Sequence, residues 1–127
     1  MNNLDKRAAQ TAQKIVAQTL ESKSSEVDNL ATKALGVLQA QGVYAATLFL
    51  YSRTGKADKA IAPVIRGELL NLVPPLAPGA TAPADEAQAA LSFVTEHIAG
   101  DLDTLLLVKQ VWEQTLIYVR YGAKARG

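Results

Sequence analysis

The sequence contains no cysteine, and that absence removes disulfides, thiolate zinc sites and a cysteine nucleophile together. Histidine occurs once, at His97, so with no cysteine a usual zinc set cannot be assembled, and a serine-histidine-acid triad built on it would lack a plausible partner set. No strongly apolar run is longer than Val43 to Tyr51, far short of the roughly 20 residues a membrane-spanning helix needs. The opening residues mix Asp5, Lys6 and Arg7 with short apolar side chains and lack the apolar stretch of a secretory signal. The expectation is a cytoplasmic protein that does not enter a membrane. The net charge of +1 also excludes coating nucleic acid through total charge alone.

What is present is a chain of 127 residues, 49% hydrophobic and 20% charged. That balance is too apolar for disorder, and the length suits one domain, residues 1–127, with a single core. Leu4, Ala8, Ile15, Val16, Thr19 and Leu20 recur at helical spacing, with polar residues between them. The serines from Ser22 to Ser25 interrupt the pattern. A second helix then turns Val27, Leu30, Ala34, Leu35 and Leu38 inward, and Gly42 is placed to stop it in a left-handed cap. Val43 to Tyr51 is apolar at nearly every position; it is read as a helix ended by Gly55, because no second segment has the character of a partner strand. In residues 56–72, Pro63 means either that the main helix starts near it or that the helix kinks there. Residues 73–84 hold four of the five prolines and no charge, which predicts an extended surface loop. After it, Ala87, Ala90, Leu91, Val94 and Ile98 mark one helix, with Asp85 and Glu86 suited to its start. Leu105, Val108, Trp112, Thr115, Leu116, Val119 and Ala123 mark the last and longest, capped by Asp101 or Asp103. The fold class expected is all-α, a compact bundle of five to six helices.

The search for chemistry returns no catalytic residue, metal site or cofactor, and the chain is not expected to be an enzyme. Asp101 and Asp103 follow Gly100 and precede an apolar helix, where capping accounts for them. The run from Ser52 to Lys56 superficially resembles a phosphate loop, but position 50 is Leu where that motif needs Gly and Ala57 stands where it needs Ser or Thr. Trp112 lies in register with core residues, whereas Tyr118 and Tyr121 flank Arg120 and are partly exposed in this reading.

Charge distribution is more informative. Residues 1–66 carry nine basic and five acidic side chains, residues 67–108 none and six, and residues 109–127 four and one. Arg53, Lys56, Lys59 and Arg66 are opposed locally only by Asp58, and Arg120, Lys124 and Arg126 by nothing after Glu113. Arg120 and Lys124 are four apart, hence on one helix face, a geometry that can follow phosphates along a strand.

Three segments carry a resemblance. LDKRAAQTAQKIV, KALGVLQAQGVYAATLFLYSRTGKADKAI and LLLVKQVWEQTLIYVRYGAKA are similar to the opening, central and closing helices of the small subunit of the type III-B CRISPR RNA-guided effector, the Cmr complex. The likeness covers most of the chain outside the Pro-rich loop. Leu35-Gly36 departs from the Leu-Pro common in that family, and Val43 from its Leu. The resemblance implies a non-catalytic subunit in antiviral defence whose copies stack head to tail, beside backbone and large subunits, in the groove that holds guide and target RNA. It implies sequence-independent contact with the RNA backbone through Lys14, Arg53, Lys56, Lys59, Arg120 and Lys124. The alternative is a helical protein-protein adaptor or assembly subunit without nucleic-acid binding.

Overall fold

In the computed structural model, which describes residues 3–127, six α-helices follow one another with no strand among the described residues. They are α1 (Asn3–Gln18), α2 (Ser24–Gln41), α3 (Val43–Tyr51), α4 (Lys56–Asn71), α5 (Ala87–His97) and α6 (Leu102–Ala125). The expected all-α bundle is therefore the architecture found.

Four helices close a ring. α6 packs on α1 and on α2, and α4 packs on the same two, so that α4 and α6 stand on one diagonal and α1 and α2 on the other. Trp112 of α6 reaches across the middle, fully buried, and donates its indole N–H to the carbonyl of Leu69 in α4 at 2.8 Å. That bond satisfies a polar group that would otherwise be costly to bury. The largest fully buried side chains of the ring include Ile15 of α1, Leu30 and Leu38 of α2, Ile61, Ile65 and Leu69 of α4 and Leu116 of α6. α3 packs on α2 and α4 from outside, and α5 packs on α3.

Local chemistry sets the helix ends. Asp101 caps α6, its carboxylate accepting from the backbone N–H of Asp103 at 3.0 Å and of Thr104 at 3.4 Å. Gly42 separates α2 from α3 with φ 98° and ψ −173°. This is a positive-φ conformation as expected, but it lies in an extended region open essentially to glycine alone rather than in the left-handed helical cap. The chain thereby reverses within one residue: Gly42 donates to Leu38 and accepts from Ala46. At the other close approach, a Cβ on Gly122 would come within 3.0 Å of the Val16 side chain, so glycine lets α6 lie against α1.

Several sequence expectations need correction. α3 ends at Tyr51, and Gly55, with an ordinary φ of −62°, instead precedes α4. α4 does not start at Pro63 but runs through it; the carbonyl of Lys59 loses its helical partner at an exposed position, where solvent can serve. Leu20 lies beyond the end of α1 and is exposed, and Leu91 and Ala87 stay out of the core while Phe93 enters it. Residues 73–84 are not wholly extended. They open with a 3₁₀ turn, Pro74–Leu76, that buries Val73 and Ala77.

Candidate nucleic-acid interface

The basic residues singled out from sequence fall into three places. Lys56 and Lys59 occupy the first turn of α4, and Arg53 lies in the connection before it. Arg120 and Lys124 lie on the seam between α6 and α2. Lys14 lies on α1 and borders a depression shared with Arg7, Glu68 and Asn71.

The first two places share one end of the bundle. Ala60, one turn into α4, borders the same depression as the end of α1 and the turn up to Ser22. The end of α6 reaches that turn as well, because the guanidinium of Arg126 donates to the carbonyls of Thr19, at 2.9 Å, and of Ser22. Yet α4 and α6 are diagonal helices, so Lys56 and Lys59 do not share a helix face with Arg120 and Lys124. Lys14 stands apart from both groups, beside Glu68. The cations implied to contact the RNA backbone therefore lie on two separate rims at one end of the bundle, with Lys14 on neither.

The rims differ in charge. Arg120 and Lys124 are opposed after all: Asp28 of α2 places one carboxylate oxygen 3.0 Å from Arg120 Nε and the other 3.8 Å from Lys124 Nζ. The Asp28 side chain is only 17% exposed and that of Arg120 32%, so this pair is half withdrawn from solvent, whereas Lys124 remains 59% exposed. Removing one partner of such a pair leaves the other poorly solvated, which makes Arg120 a structural residue first. Arg126 is held by four hydrogen bonds, to Ser24 Oγ and to the carbonyls of Val16, Thr19 and Ser22. It closes the C-terminal end of α1, whose last carbonyls lack helical partners.

On the α4 rim, no ion pair or side-chain hydrogen bond engages the ammonium groups of Lys56 and Lys59 among the described residues. Arg53 places its guanidinium carbon over the Phe49 ring, 4.1 Å from its centroid. Its Nε is buried there without a hydrogen-bond partner. Arg66, counted with this cluster in sequence, belongs elsewhere. It grips Asp85 through two nitrogens, at 2.9 and 3.2 Å, and stacks on Tyr51. Tyr51 donates its hydroxyl to the same carboxylate at 2.8 Å. Burial first, and then the Asp85 carboxylate, push the Tyr51 phenol from 10.0 up to about 12, while the Arg66 guanidinium holds Asp85 below its ordinary value.

Sequence reasoning missed Asp28 as the counter-charge. A signal was present: Ser24 and Asp28 are four apart on one helix face, as are Arg120 and Lys124 on another, and an antiparallel pairing of the two helices brings such faces together. Tyr118, which lines the apolar groove between α1 and α6, donates its hydroxyl to Asp5. Tyr121 is 63% exposed. No helix among the described residues is long and apolar enough to cross a membrane, and none of them form a cluster of three or more metal-binding side chains.

Compared with protein-family models, curated proteins and solved structures, the chain matches none.

Proposed function

We propose that this chain is a non-catalytic helical subunit of a type III CRISPR RNA-guided effector, of the Cmr kind, that meets the RNA backbone with one end of its bundle. The observation that carries this reading is the α4 rim: Lys56 and Lys59 present ammonium groups without ionic partners beside Arg53, and Lys124 adds a mostly exposed cation at the same end. Such groups neutralise phosphates without reading bases, and guide pairing would supply the sequence choice. The contact set is narrower than the sequence implied, because Arg120 is committed to Asp28. Acidic Asp101 and Asp103 at the start of α6, the end remote from Lys124, suit stacking of one copy's acidic end on the next copy's basic end.

The test is salt-dependent binding of a labelled single-stranded RNA of arbitrary sequence by the chain within its assembly. Lys56→Ala and Lys59→Ala should each reduce the slope of log affinity against log salt by roughly 0.7. Undiminished slope in the double variant would remove the RNA reading.

A second reading, an assembly subunit with protein partners only, is favoured by the apolar surface. Leu102 is 67% exposed and Leu106 54%, and a groove of about 500 Å³ between α1 and α6 is lined by Ala9, Ala12, Val16, Ala17 and Leu20. Absence of RNA affinity in low salt, with assembly intact and Leu106→Glu disrupting it, would select this reading.

A further inference from the structure

α5 is attached to the rest of the molecule differently from every other helix. Its principal neighbour is α3, itself outside the ring, whereas α1, α2, α4 and α6 each have two neighbours within the ring. It buries Ala90, Phe93 and Val94, and Ile98 follows at its end. The chain before it, from the 3₁₀ turn to Ala84, carries only one backbone hydrogen bond of its own beyond that turn, Ala80 to Ala77, before Glu86 bonds Ala84. The chain after it passes through Gly100, which is exposed. The flank before α5 is thus sparsely bonded, whereas after the helix Ala99 donates to Val94 and Asp101 to Ile98.

The start of α5 is nevertheless held at one point. Glu86 occupies the cap position without a side-chain bond to the helix, so capping does not fix this end. Asp85 does, by accepting both Arg66 nitrogens and the Tyr51 hydroxyl. Arg66 is itself fixed from below, stacked 4.1 Å over the Tyr51 ring and donating to the carbonyl of Leu50 at 3.4 Å. The receiving side is therefore preorganised on α3 and α4, and the carboxylate is the only part supplied by the sparsely bonded segment before α5.

We infer that residues 85–98 form a hinged cover over α3, latched by Asp85 on Arg66 and Tyr51, which opens independently of the four-helix ring. Opening would uncover part of the buried stripe of α3, Val43, Ala46, Thr47 and Leu50, next to the already exposed Tyr44 and Leu48. A local opening of this kind is favoured by a single principal neighbour and a weakly bonded leading flank, and both are present here.

Hydrogen exchange on the full chain tests this. Amides 90–98 should exchange at least about tenfold faster than interior amides of α2 and α6. Asp85→Asn should accelerate exchange in α5 by a further roughly three- to tenfold, the range expected for a partly exposed bidentate pair, and leave α2 and α6 unchanged. Tyr51→Phe, which removes a single hydrogen bond and keeps the ring, should give a smaller change confined to the same amides. Equal protection of α5 and α2 in the native chain would overturn the inference. So would acceleration spread evenly over all helices in either variant, or none in α5.

Discussion

At the end of α6, Arg120 and Arg126 direct their charge inward, to Asp28 and to the carbonyls that end α1, whereas at the start of α4 the ammonium groups of Lys56 and Lys59 meet no counter-charge among the described residues. The two segments are equally basic in sequence. Their difference is made by residues about a hundred positions away: Asp28 is 92 residues from Arg120, and Ser22 is 104 from Arg126. Local charge counting therefore identifies candidates for phosphate contact but cannot separate cations that build the fold from cations that face a ligand.

The contrast is broken most severely at Arg126. Arg126→Ala should lower unfolding free energy in urea by about 2 kcal/mol, because carbonyls at the end of α1 lose a charged donor. A loss under about 0.5 kcal/mol would mean that the C-terminal turn is as expendable as the α4 rim. Next, Asp28→Ala should cost about 1–2 kcal/mol by stranding Arg120, and the Asp28→Ala, Arg120→Ala double variant should fall short of the sum of its singles by about 1 kcal/mol. Strict additivity would deny the pair its structural role.

Lys56→Ala with Lys59→Ala should leave stability within about 0.5 kcal/mol of the native chain, since neither ammonium group has a partner to lose. The same variant should carry the fall in RNA salt slope, and Arg120→Ala should not.

The smallest effect concerns the fourth basic residue of the sequence cluster, Arg66, through its partners. Asp85 is depressed in the folded protein, so its contribution is present above its ordinary value of 3.8 and is lost as pH falls through the lower folded value. Tyr51 is raised, so its contribution is present below 10.0 and is lost as pH rises towards about 12. The difference in urea midpoint between native chain and Tyr51→Phe should accordingly be constant near neutrality and shrink above pH 10.0. A difference that persists unchanged at pH 12 would show that the hydroxyl bond to Asp85 does not stabilise the fold.

How much of this was legible in advance follows from the range of each interaction. The helices were readable because their apolar residues repeat within a few positions, and the cap at Asp101 was readable because it acts over two or three residues. α3 was readable only indirectly. It is apolar all round, yet just Val43, Ala46, Thr47 and Leu50 are buried, a stripe chosen by the placement of α2, α4 and α5 rather than by its own pattern. Pro63 was not resolved by propensity, because packing of Ile61, Ala62 and Ile65 on the ring holds the helix through it. Of the six candidate basic residues, Lys14, Lys56 and Lys59 are exposed with no ion pair among the described residues, whereas Arg120 is paired with Asp28.

By itself the sequence determined that the chain folds as helices, where the last of them begins, and that thiolate and multi-histidine chemistry is excluded, since all of these depend on residue type and short-range spacing. Only the tertiary structure decided which charges are free. An ion pair needs two side chains within a few ångströms, and here the ring of α1, α6, α2 and α4 sets that proximity by packing helices remote in sequence.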